Sequence, residues 1–211
     1  MKFSLQPVIV SALHIAVLVG STSAEDFVVT MLSNGEELSR SRLSIEPDAA
    51  TLRVGDEVES FDLKGTRWLD GRSGVWVTLA QCEAWAKQTV AITKQSVADA
   101  PANIRQFVSW TIEPSFEIQD RGAGTLTLTS GVVDYAIAGE QREEGLSNFF
   151  RYAKLNAYKK AMVERKVAPF AELKVIEELE RRRLFPVVMS VEIPGVPSAP
   201  AFEIRTEAVA D

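Results

Sequence analysis

Residues 58–79 read VESFDLKGTRWLDGRSGVWVTL. Val58, Phe61 and Leu63 alternate with polar neighbours, and Lys64-Gly65 then turns the chain. Thr66-Arg67-Trp68-Leu69-Asp70 follows, and Gly71-Arg72-Ser73-Gly74 turns it again into Val75-Trp76-Val77-Thr78-Leu79. Short β-branched and aromatic segments, each closed by Gly or Asp, are what an antiparallel meander requires. No helix survives glycines placed this often.

The same pattern extends upstream. Phe27 to Leu32 is a β-branched apolar run ended by Ser33-Asn34-Gly35-Glu36, and Asn-Gly is the strongest short hairpin signal. Leu38 to Glu46 sets Leu43 and Ile45 against Arg42 and Ser44, Pro47-Asp48 turns, and Thr51 to Val54 stops at Gly55-Asp56. Downstream, a helical period takes over. Leu79, Cys82, Trp85, Ala86, Thr89, Val90 and Ile92 recur at steps of three and four, and Pro101 opens a second short helix. Strands return at 115–119, 125–129 and 132–137. Two further helices follow. One carries the apolar stripe Leu146, Phe149, Phe150, Ala153, Ala157 and Ala161, preceded by Gly145; the other starts at Pro169 and ends on Arg181-Arg182-Arg183. Strands at 184–193 and 201–206 close the chain around Pro194, Pro197 and Pro200. The expectation is one α+β domain over residues 25–211, a large antiparallel sheet with helices on one face.

Residues 1–24 read as a secretory signal peptide. Lys2 supplies the charged start, Pro7 to Gly20 the apolar stretch and Thr22-Ser23-Ala24 the small-residue cleavage site. Ser11 and His14 interrupt a run that is short for a membrane anchor. Cleavage after Ala24 gives an exported chain, periplasmic or extracellular, that begins at Glu25 with no stable transmembrane span. The one histidine, His14, is lost with the leader, and with it the commonest general base, the usual zinc ligand and the Ser–His and Cys–His pairs. No catalytic or metal-binding residues and no cofactor are expected. The net charge of −6 argues against nucleic acid. One cysteine, Cys82, gives no internal disulfide and reads as a buried structural thiol.

The run Val58-x-x-Phe61-Asp62, Trp68-Leu69-Asp70 and Val75-Trp76-Val77 resembles the family of the periplasmic lipoprotein carrier, LolA, and its lipoprotein relatives. The resemblance spans about residues 38–79 and extends through the strands at 115–137. It implies a curved, half-barrel sheet whose concave side is covered by helices, with acyl chains held between. On that reading Trp68, Trp76, Trp85 and Phe61 line a cavity for a lipid or another apolar ligand, and the partner is a lipid or a lipidated protein. The competing readings are an envelope scaffold or protein–protein adaptor in which the same residues are ordinary core, and a carboxylate-based hydrolase. Arg151, Lys154, Lys159 and Lys160, with Arg165 and Lys166, form a basic stretch. It reads either as a peripheral membrane contact or as a solvated helix face paired with Glu172, Glu177, Glu178 and Glu180.

Overall fold

A computed structural model describes residues 24–142, 146–164, 166–194 and 199–209. The expected leader up to Ser23, Gly145 and Arg165 lie outside the described residues. Eleven strands and four helices follow one another among them. They are β1 (Glu25–Ser33), β2 (Glu36–Ile45), β3 (Ala49–Val54), β4 (Glu57–Asp62), β5 (Arg67–Asp70), β6 (Val75–Thr78), α1 (Leu79–Ser96), α2 (Ala102–Ile112), β7 (Glu117–Gly122), β8 (Thr125–Thr129), β9 (Asp134–Gln141), α3 (Leu146–Val163), α4 (Phe170–Arg182), β10 (Leu184–Glu192) and β11 (Phe202–Ala208).

All the strands join one curved, unclosed antiparallel sheet in the order β6-β5-β4-β3-β2-β1-β11-β10-β9-β8-β7. Turn chemistry sets the meander. Asn34 (φ 51°) and Gly35 (φ 84°) take the two left-handed positions of the first hairpin, as an Asn-Gly turn demands. The two meanders meet at β1 and β11, not at β6 and β7. Those two are the edges, and the α1–α2 insertion runs from one edge to the other.

Alternation decides which face is buried. Phe27, Val29, Leu43, Leu52, Phe61, Leu126, Leu128, Ile137 and Ile204 are buried on the inner face, whereas Arg42, Thr51, Arg53 and Arg205 are exposed. Inside the curve lies α3, with eleven of its eighteen residues buried. A helix with so wide a buried face is a core element, and only the side of Ser147, Arg151 and Lys154 reaches solvent. The expected stripe is present, and Tyr152, Leu155, Asn156, Tyr158 and Lys159 are buried as well. α4 packs beside it through Val175, Ile176 and Leu179.

Several boundaries differ from expectation, two of them in the second meander. The strand expected over 132–137 begins at Asp134 and runs to Gln141, because Ser130 to Val133 form a turn. The Asp134 carboxylate accepts from the Ser130 and Gly131 N–H groups at 2.8 and 3.3 Å and holds that turn. The strand expected from Ser115 begins at Glu117. At the other end of the meander, α1 starts on a capping box. Gln81 N–H donates to Thr78 Oγ1 at 3.3 Å, and Thr78 N–H donates to Gln81 Oε1 at 2.8 Å.

Candidate functional site: the interior between sheet and helices

The four aromatic residues expected to line a cavity do not converge. Phe61 pairs with Trp68 across β4 and β5, so both face inward, at 1% and 3% exposure. Phe61 meets Tyr152 of α3 edge-on, with ring centroids 5.0 Å apart. Trp85 on α1 is half-buried against the core beside Cys82 and Ala86. Trp76 faces the other way. Asp70 pairs with Val75 around a four-residue turn, which places Val77 opposite Trp68 and Trp76 opposite Leu69. An eight-residue spacing suggests a shared face, and the even-numbered turn inverts it. Trp76 therefore lies on the outer face, where the Arg67 guanidinium sits 4.9 Å from its ring centroid.

A buried polar seam runs through this apolar interior. Tyr152, Asn156 and Lys159 follow one another along α3 at helical spacing, with the half-buried Lys160 next to them. Glu59, paired with Leu52 across β3 and β4, shares the inner face with Phe61 and forms an ion pair with Lys159. Asn156 is 1% exposed and Glu172 is 6% exposed. The Tyr152 hydroxyl, both amide atoms of Asn156 and both carboxylate oxygens of Glu172 have no hydrogen-bond partner among the described residues. Burial raises the Glu172 carboxyl to about 7, opposed by the nearby Lys160 and Lys166. Burial likewise lowers Lys160 to about 8, opposed by Glu172, Glu59 and Glu164. The Tyr152 hydroxyl is pushed up by burial and further by the charges of Glu59 and Glu172.

Glu172 borders a cleft of about 80 Å³ between α2, α4, β9 and β10. Its walls are mostly apolar, with Phe107, Trp110, Tyr135 and Val191 among them and Lys166 beside them. Trp110, Phe116 and Tyr135 stand edge-to-face in a row, at 5.6 and 5.8 Å. A second hollow of about 330 Å³ lies by the β7–β8 hairpin, bordered by Asp120, Gly124, Gly139, Arg182 and Leu184. Arg182 approaches Asp120 there at 3.7 Å. Neither hollow is lined by Phe61, Trp68, Trp76 or Trp85.

The basic stretch is not one exposed face. Arg151 donates to the Leu63 carbonyl at 3.1 Å, Lys154 pairs with Glu180 at 2.6 Å, and Lys166 pairs with Glu164. Lys159 is buried, which removes it from the expected membrane contact. Sequence reasoning missed the seam because Tyr152, Asn156 and Lys159 form a polar stripe, which on an isolated helix reads as the solvent side. Cys82 is fully buried, and burial pushes its thiol up. Among the described residues no helix is long and apolar enough to cross a membrane. No family model and no curated protein matches this chain.

Proposed function

We propose that this chain is an exported, non-catalytic protein of the cell envelope that acts as a scaffold or protein–protein adaptor with a packed interior. The observation that carries this reading is the burial of eleven of the eighteen residues of α3: the concave side of the sheet holds the protein's own helix. Ligand sites for drug-sized molecules run to about 300–1,000 Å³; the cleft at Glu172 is about 80 Å³, and the hollow of about 330 Å³ lies by the β7–β8 hairpin, away from Phe61, Trp68, Trp76 and Trp85.

A second reading keeps the apolar ligand on the curved sheet, as the resemblance to the lipoprotein carrier implies. What favours it is the unclosed, curved sheet with a helical insertion between its two edges. A fluorescent fatty acid separates the two. The scaffold reading expects no saturable binding to the native protein, and Trp68→Ala to act on stability alone. Micromolar binding that Trp68→Ala weakens defeats the scaffold and installs the carrier.

A further inference from the structure

The two edges of the sheet are not alike. β6 is four residues long and runs straight into α1. β7 is six residues long, and β8 is the one strand paired with it. The Thr127 and Thr129 hydroxyls donate to the Gln119 and Glu117 carbonyls at 3.4 Å, so those carbonyls face β8. By the alternation of a strand, the N–H and C=O groups of Ile118 and Asp120 face the other way, along the unpaired edge. Natural sheets often blunt such an edge with an inward-pointing charge. The inward charge here, Asp120, is offset by Arg182 of α4, which approaches it at 3.7 Å. A bulge at Arg121 affects only the hairpin end and leaves Glu117 to Asp120 in regular register with β8.

The charges of β7 select what pairs with it. Glu117 and Arg121 are exposed, and neither forms an ion pair among the described residues. Four residues of extended strand hold them roughly 13 Å apart, too far to pair within one chain. Run antiparallel against itself about Gln119, the segment Glu117-Ile118-Gln119-Asp120-Arg121 reads as its own complement. Each Glu117 then stands opposite Arg121 of the second copy. Ile118 stands opposite Asp120, and these are the residues whose backbone groups are open, so the ladder closes. Other centres do worse. Pairing about Asp120 sets two like charges face to face, which destabilises, and pairing about Ile118 leaves Arg121 opposite Ser115.

We propose that β7 is a self-association edge, on which a second copy of this chain pairs antiparallel about Gln119 and continues the sheet across a two-fold axis. The interface is small. Stable complexes bury about 1,200–2,000 Å², more than one pair of six-residue strands supplies. The dimer is therefore weak, with a Kd of about 100 μM. The inference stands whichever way the interior is assigned, because neither reading of the concave face uses this edge.

Sedimentation velocity of the full mature chain at concentrations around that value tests it, with amide hydrogen exchange on the same samples. The expected result is a monomer–dimer equilibrium that weakens as salt is raised, with the Ile118 and Asp120 amides gaining protection as dimer forms. Glu117→Arg and Arg121→Glu should each weaken self-association about tenfold. Both positions are exposed, so both variants keep the fold. Mixed together, the two variants should associate at least as well as the parent, since each then meets opposite charges on the other. Four results overturn the proposal. They are a monomer at every concentration, a dimer that neither reversal weakens, a mixture that associates no better than its components, and self-association that leaves the Ile118 and Asp120 amides unprotected.

Discussion

Glu172 makes the stability of this protein fall as the pH rises through neutrality. Its carboxyl titrates at about 7 in the folded chain, against 4.5 as its ordinary value. A raised acid favours the folded state while it is protonated, so its contribution is complete below pH 4.5 and is lost as the pH climbs through 7. Each tenfold difference in proton affinity between the folded and unfolded chain is worth about 1.4 kcal/mol. Between pH 5 and pH 8 the penalty for ionising Glu172 therefore grows by about 2 kcal/mol. Of the groups facing it, Glu164, Lys166, Tyr135 and Tyr152 are common to both proteins in the comparison with Glu172→Gln, whereas Lys160 loses an opposing charge and titrates lower in the variant, which adds to the difference with the same sign. Urea unfolding of the two at pH 5, 6, 7 and 8, with equal m-values, gives the gap directly. The glutamine variant should gain on the parent by about 2 kcal/mol from pH 5 to pH 8. A gap that stays constant, or one that widens toward acid, refutes the reasoning.

Three further outcomes follow from burial and register. Trp68→Ala should cost about 3–5 kcal/mol in thermal or urea unfolding, whereas Trp76→Ala, which loses an outer-face contact with Arg67, should cost about 1 kcal/mol; equal losses would place both rings inside. Cys82 should label with a thiol reagent only as fast as the protein unfolds, and rapid labelling of the folded chain would contradict its burial. Gly139→Ala should destabilise by about 1–3 kcal/mol through backbone displacement, since a Cβ there would stand 2.3 Å from the Phe185 carbonyl oxygen; a neutral result would mean that β9 and β10 are less closely apposed.

The meander was legible because its turns carry their own chemistry. Asn34-Gly35, Lys64-Gly65 and Gly71 to Gly74 mark the reversals before any tertiary contact is known. The stripe on α3 was legible too, since Phe149, Phe150, Ala153 and Ala157 repeat at helical spacing. What surrounds the rest of α3 was not. Tyr152, Asn156 and Lys159 are polar, and their burial depends on α3 lying inside the curved sheet, where Glu59, a hundred residues earlier in the chain, meets Lys159. Local pattern carries no information about a partner that distant. The facing of Trp76 was lost for a smaller reason: one residue more or less in the turn before it exchanges the two sides of β6.

The seam between β1 and β11 has a kinetic consequence. Seven residue pairs, from Phe27↔Ala208 to Ser33↔Phe202, join the first strand to the last. Between them β1 to β6 and β7 to β9 zip from local hairpins and β9 meets β10 across α3 and α4, but the two halves share one sheet only through this pairing. Its loop closure spans nearly the whole described chain, so the entropy of bringing the ends together is spent late and recovered all at once. Folding should therefore proceed as two fast, separately collapsing halves followed by a slow docking step, and a chain shortened before Phe202 should stall at that stage with the inner edge of β1 unpaired. An unpaired strand edge of that length is a template for a second chain, which makes the closing strand the element that separates a monomer from an aggregate.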